Sequence, residues 1–321
     1  MDRRSFLKMA GSGAVIAASG IPAAARGNLE VSDEAVGMLF DATRCIGCRA
    51  CVASCKEIHG KPAELLDGEP MWDAAEDLSA DTLNIIKAYK NEVEGHVSFI
   101  KRNCMHCVDP GCVSVCPTKA LTKDPVTGIV EYDKDVCIGC RTCMASCPYN
   151  IPKYSYDETF GEINKCTFCN SKGIERISKG MLPGCSEVCP TGANIFGKRS
   201  DLLEEARRRL ELNEGDRYVY KLNAIDSRYQ QEGTVGKYQQ HIYGEHEAGG
   251  TQVLMLAGVP FENLGMPNLP ERSYASISET VQHSIYKSAI APTALLGGML
   301  WLARRNEKRI RDEEDQDGGD S

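Results

Sequence analysis

Sixteen cysteines stand in this chain of 321 residues, and they fall into four groups of four with none left over. The groups are Cys45, Cys48, Cys51 and Cys55; Cys104, Cys107, Cys112 and Cys116; Cys137, Cys140, Cys143 and Cys147; and Cys166, Cys169, Cys185 and Cys189. The first and third share the spacing C-x2-C-x2-C-x3-C, and the third runs on into Pro148. The second group widens one gap to four residues and the fourth widens the same gap to fifteen. Pro117 and Pro190 follow the last cysteines of the second and fourth groups, whereas Lys56 stands in that place after the first.

This spacing belongs to cubane iron–sulfur ligation. Three cysteines two residues apart wrap a loop around one face of a [4Fe–4S] cube, so each thiolate reaches a separate iron. Gly47 and Gly139 permit the turn and bring backbone N–H groups near sulfur. The fourth cysteine points away from the loop and ligates the neighbouring cluster. The second and third groups are near in sequence and form one crossed unit; the first and fourth enclose it. Crossing then gives four sets: Cys45, Cys48, Cys51 with Cys189; Cys55 with Cys166, Cys169, Cys185; Cys104, Cys107, Cys112 with Cys147; and Cys116 with Cys137, Cys140, Cys143. Sequential pairing, first group with second and third with fourth, is the competing scheme. Because every ligand position is Cys, four [4Fe–4S] clusters are expected and no three-iron centre. Disulfides suit secreted scaffolds, but C-x2-C pairs clamp strands badly. Zinc uses two such pairs per site and has no use for a third cysteine two residues on.

The expected fold is α+β: two interleaved bacterial ferredoxin-like modules over residues 38–200, with an insertion at 56–103 and a C-terminal transmembrane helix. Residues 78–89 have helical spacing, and residues 97–100 read as a strand entering the second group. Residues 202–212 read as a charged amphipathic helix with a solvated or docking face, and residues 218–222 and 253–256 as short strands. Residues 201–284 form a periplasmic tail or docking segment. Lys101, Arg102, Arg44, Arg49, Lys56, Arg141 and Lys165 flank the groups, where a cation would raise the potential of an anionic cluster. Most of them are expected to be solvated. His106 lies between two ligands and reads as a neighbour of the cluster or as filler.

The two ends carry addresses. Arg3-Arg4 before Phe6-Leu7-Lys8, then a short apolar run and Ala23-Ala24-Ala25, resembles a twin-arginine export signal over residues 1–27. That route carries folded, cofactor-loaded proteins, which suits clusters assembled inside the cell. Residues 285–303 hold Lys287 as their one charge and would span about 28 Å as a helix, near the roughly 30 Å hydrocarbon core. The basic residues 304–311 that follow fit a cytoplasmic end, and the tail 304–321 closes on an acidic, Gly-rich stretch. A net charge of −8 argues against nucleic acid as a partner.

Four such groups in this order resemble the iron–sulfur electron-transfer subunits of membrane oxidoreductases, among them those of formate dehydrogenase, dimethyl sulfoxide reductase and nitrite reductase. The stretch Tyr243-Gly244-Glu245-His246-Glu247-Ala248-Gly249-Gly250-Thr251 looks like that preceding the anchor in the formate dehydrogenase and hydrogenase types. Val259-Pro260-Phe261-Glu262-Asn263-Leu264-Gly265-Met266-Pro267, with Gln282-His283 and Ile290-Ala291-Pro292, is most similar to the ferredoxin-type subunit of hydrogenase-2. The resemblance implies the crossed, nested ligand sets. It also implies passage of electrons from the small and large subunits of a periplasmic hydrogenase to an integral-membrane quinone-reactive subunit, with the C-terminal helix in the membrane. A beta-type subunit of formate dehydrogenase, or of a related molybdenum oxidoreductase, is the second reading. A self-contained enzyme is disfavoured, because no dinucleotide fingerprint, P-loop, nucleophile elbow or flavin motif is present; a structural adaptor is the third class.

Overall fold

The computed structural model describes residues 26–63, 76–90, 97–157 and 161–317. The expected export signal therefore lies outside the described residues up to position 25, as do parts of the insertion. Chain contacts divide the protein into one unit of residues 27–275 and another holding Arg26 and residues 276–317.

The first unit is a mixed α/β body. In chain order its strands are β1 (Val36–Asp41), β2 (Asn84–Lys90), β3 (Val97–Asn103), β4 (Leu121–Lys123), β5 (Val130–Tyr132), β6 (Lys153–Tyr154), β7 (Ile163–Asn164), β8 (Asn194–Lys198), β9 (Arg217–Lys221), β10 (Gln230–Thr234) and β11 (Val253–Leu256). The helices are α1 (Ala50–His59), α2 (Gly111–Ser114), α3 (Thr142–Ser146), α4 (Gly184–Glu187), α5 (Arg199–Leu210) and α6 (Tyr274–Asp317), of which α6 runs on into the second unit.

One three-stranded sheet organises the body. β1 lies at its centre, parallel to β11 (Met38 opposite Val253) and antiparallel to β8 (Leu39 opposite Ile195). Strand side chains alternate between faces. Met38, Phe40, Phe196, Val253 and Met255 enter the core that holds the cysteine loops. Leu39, Ile195, Leu254 and Leu256 face the other way and join Leu202 and Ala206 of α5. Both faces are covered, which is why β1 and β11 read as continuous apolar runs rather than alternating ones.

Each cysteine group opens a short helix that carries one or two of its own thiols: Cys51 and Cys55 in α1, Cys112 in α2, Cys143 in α3 and Cys185 in α4. α1 packs on α4, and α2 packs on α3. The first contact depends on Gly184, because a Cβ there would come within 2.2 Å of Ile58 Cδ1 and 2.6 Å of Ser54 Oγ.

Three expectations need correction. The helix expected over residues 78–89 is instead a strand from Asn84, paired antiparallel to β3 with Ile85 opposite Arg102. Its apolar residues also satisfy a two-residue repeat, and the partner strand at Val97 decides between the periods. The face of α5 that was expected to be solvated is partly buried. Arg209 is fully buried, with Nη1 3.0 Å from Asp41 Oδ2 and Nε 2.9 Å from Glu205 Oε1. Tyr238 Oη donates to Asp41 at 2.6 Å, Tyr218 Oη to Glu205 at 3.1 Å, and Arg208 Nη1 pairs with Glu205 at 3.0 Å. In the second unit, residues 285–303 are helical within the 44-residue α6, with Pro292 inside it. Among the described residues, however, no helix is long and apolar enough to cross a membrane. Lys287, Ser288, Thr293 and Gly297-Gly298 dilute the apolar run that was expected to span it.

Candidate functional site: four sets of thiols

All sixteen cysteines are free thiols within the first unit. The loops that carry them are shaped by left-handed backbone. Gly47 has φ +70° and Arg49 φ 57° in the first group; Gly139 has φ +65° and Arg141 φ 61° in the third. At Gly47 the constraint is double, since a Cβ would also lie 2.4 Å from the Phe99 ring. The turns aim backbone N–H groups at sulfur: Gly139 N–H donates to Cys137 Sγ at 3.4 Å.

The folded chain brings thiols from different groups together. One cavity is lined by Cys45, Cys48, Cys51 and Cys189, together with Phe40, Ile86 and Lys101. A second is lined by Cys116, Cys137, Cys140 and Cys143. Burial pushes the Cys55 thiol well up, and the charged neighbours that add to the rise are Cys166, Cys169 and Cys185. Burial raises Cys107 likewise, with Cys147, Cys112 and Cys104 beside it. In each set, three cysteines come from one group and the fourth from another. Burial also lifts Cys45 to about 12 and Cys143 to about 11. Bare thiolates are costly in such places, and metal charge is what would deprotonate them.

The donor set fits cubanes. No group of three or more His, Cys, Asp or Glu among the described residues converges tightly enough for a single metal ion. A cubane asks instead for four thiolates spread around a cube, each on its own iron.

Two surface positions flank the sets. Cys140 is the one exposed cysteine, its thiol pulled down by the Thr142 hydroxyl 3.3 Å away, and Ile138 two residues before it is 63% exposed. Ile46, between Cys45 and Cys48, is 60% exposed. Between the sets, His106 is fully buried and stacks on Phe168 with ring centroids 3.8 Å apart. His106 lies between Cys104 and Cys107, and Phe168 between Cys166 and Cys169. Val130 N–H donates to His106 Nδ1 at 3.0 Å, and burial holds the ring well below the ordinary histidine range, so it is neutral. The sequence placed His106 near a cluster but missed Phe168, whose signal was only its position between two ligands.

The flanking cations divide. Lys56, Lys101 and Lys165 are buried, against the expectation of solvated charge, while Arg141 is exposed and stacks over Tyr154. Lys165 Nζ donates to Val130 O at 2.6 Å, and Lys123 Nζ to Cys107 O at 2.8 Å. Burial alone would push the Lys101 ammonium down; Cys185, Cys51 and Cys166 outweigh it and hold the group above the ordinary lysine range.

Comparison with known proteins follows the same lines. Residues 37–117 and 95–199 each match a 4Fe-4S dicluster domain. The hydrogenase-2 operon protein HybA of Escherichia coli O157:H7 is 49% identical over 100% of this chain and 99% of its own length. The iron–sulfur subunit of the nitrate-inducible formate dehydrogenase of Escherichia coli K12 is 33% identical over 82% of this chain and 80% of its own. With full-length identity at that level and the cysteine sets in place, the chain belongs to the HybA family of ferredoxin-type iron–sulfur subunits.

Proposed function

We propose that the chain is a four-cluster electron conduit, an electron-transfer subunit with no substrate chemistry of its own. The proposed ligand sets are Cys45, Cys48, Cys51, Cys189; Cys55, Cys166, Cys169, Cys185; Cys104, Cys107, Cys112, Cys147; and Cys116, Cys137, Cys140, Cys143. The observation that carries this reading is the pair of cavities, each lined by four cysteines from two groups. The packing of α1 on α4 and of α2 on α3 supports the nested arrangement over the sequential one. When bound, the clusters supply one-electron redox chemistry in which no bond to a substrate is made.

The protein's part is spacing, shielding and charge. Cys55, Cys104, Cys143, Cys166, Cys169 and Cys185 are buried, which shields their sets from water. The surface positions at Ile46 and at Ile138 with Cys140 suit entry and exit. The His106–Phe168 stack sits where the inner and outer pairs of groups meet.

The partners proposed are the small and large subunits of a hydrogenase at one end and an integral-membrane quinone-reactive subunit at the other. The relative's description as a hydrogenase-2 operon protein supports this over a formate dehydrogenase, whose subunit is less similar. Export by the twin-arginine route to the periplasmic side is supported by Arg3-Arg4 and the apolar run after them. Membranes carrying the complex test the assignment: hydrogen-driven quinone reduction should vanish when this chain is deleted and return when it is restored. Quinone reduction that depends on the chain with formate, and not with hydrogen, would contradict it.

A further inference from the structure

One buried ammonium stands between two of the thiol sets. Lys101 lies in β3, opposite Ile86 of β2, and is 1% exposed. Its Nζ donates to Cys185 Sγ at 3.1 Å, to Met38 Sδ at 3.2 Å and to Asn194 Oδ1 at 3.5 Å. Asn194 is oriented from its other end, where Nδ2 donates to Ser186 Oγ at 2.9 Å. Cys185 belongs to the set with Cys55, Cys166 and Cys169. Yet the same lysine lines the cavity of Cys45, Cys48, Cys51 and Cys189.

Two other lysines near the sets, the buried Lys165 and the half-buried Lys123, are arranged differently. Lys165 donates to the carbonyls of Val130 and Cys166, and Lys123 to those of Cys107 and Gly128. Of these three, Lys101 is the one that donates to a thiol sulfur. Its partners are two sulfurs and an amide oxygen, and among the described residues no carboxylate pairs with it. A buried ammonium without a carboxylate needs another anion, and a cube held by four thiolates is one.

We propose that Lys101 is a shared positioning charge that raises the reduction potentials of both clusters of the outer pair, most strongly the one held by Cys185. This deepens, and rests on, the four-cluster reading above. Reduction adds an electron to a centre that is already anionic. A fixed cation in a dry site, in hydrogen-bond contact with a ligating sulfur, stabilises the reduced form more than the oxidised one. Because one charge serves two sets, the outer pair moves together while the inner pair, to whose thiols Lys101 makes no hydrogen bond, stays where it is.

The test is redox titration of the anoxically loaded full chain, followed by electron paramagnetic resonance, for wild type, Lys101→Met and Lys101→Arg. Two of four midpoints should fall in Lys101→Met, unequally, while two stay unmoved; Lys101→Arg should return both toward wild type. Lys101→Gln is the second uncharged variant should methionine fail to load iron. No shift, an equal shift of all four, or an arginine variant that falls as far as methionine would overturn the proposal. Iron content separates the two levels of inference: four titrating centres in every protein with unmoved midpoints sinks the role of Lys101 alone. Fewer than four in wild type sinks the cluster reading and this proposal with it.

Discussion

At the scale of single residues, the ligand sets make a prediction that separates nested from sequential pairing. Cys45→Ser and Cys189→Ser should perturb the same cluster signal, because both thiols line one cavity. Under sequential crossing the fourth ligand beside Cys45 would instead be Cys116, and Cys189→Ser would leave the Cys45 signal untouched. Electron paramagnetic resonance of the two variants decides. Gly47→Val should also fail locally. It adds a left-handed strain of about 1–2 kcal/mol, and its Cβ would meet the Phe99 ring. The expected outcome is loss of one cluster with the remaining iron retained, read by iron analysis. The cysteine groups were legible in the sequence as candidate ligands, because C-x2-C-x2-C-x3-C has few other physical uses. The environment of Lys101 was not. Its burial depends on β1, β3 and the neighbouring α4 and β8 converging from three distant stretches of chain, and no local pattern encodes that.

At the scale of elements, the close approach of α1 and α4 rests on a missing side chain. Gly184→Val would drive the helices apart at Ile58 and Ser54, and the two clusters that draw on the first and fourth groups should be lost before the other two. α5 gives a different prediction. Arg209→Leu leaves Asp41 buried without its cation, while Glu205 keeps Arg208 at 3.0 Å, and removing one partner of a buried pair costs about 3–5 kcal/mol. Thermal unfolding should show a lower midpoint for this variant, with its cluster signals unchanged as long as it is folded; an unchanged midpoint would mean the network is hydrated. Element types were legible where the pattern was one-sided, as in α5 and β11. They were misread at residues 78–89, where the Ile85-Ile86 pair fits either period and only the pairing with β3 makes it a strand. α5 was found but its buried face was not, because a fully buried arginine looks like any other charge in a helix.

At the scale of the whole molecule, the proposed route rests on the cysteine sets, of which two reach the surface, at Ile46 and at Ile138 with Cys140. The mixed α/β ferredoxin-type body was legible from the cysteine groups, but their spacing left nested and sequential pairing both open, and the packing of α1 on α4 and of α2 on α3 is what favours the nested one. The expected membrane span was not met, since hydrophobic length had been counted without weighing the small and polar residues inside it. The most direct test of the account is iron and acid-labile sulfide analysis of the full chain, isolated without oxygen. Four cubanes predict about sixteen irons and about sixteen sulfides per polypeptide. A value near eight, or zinc in place of iron, would contradict it.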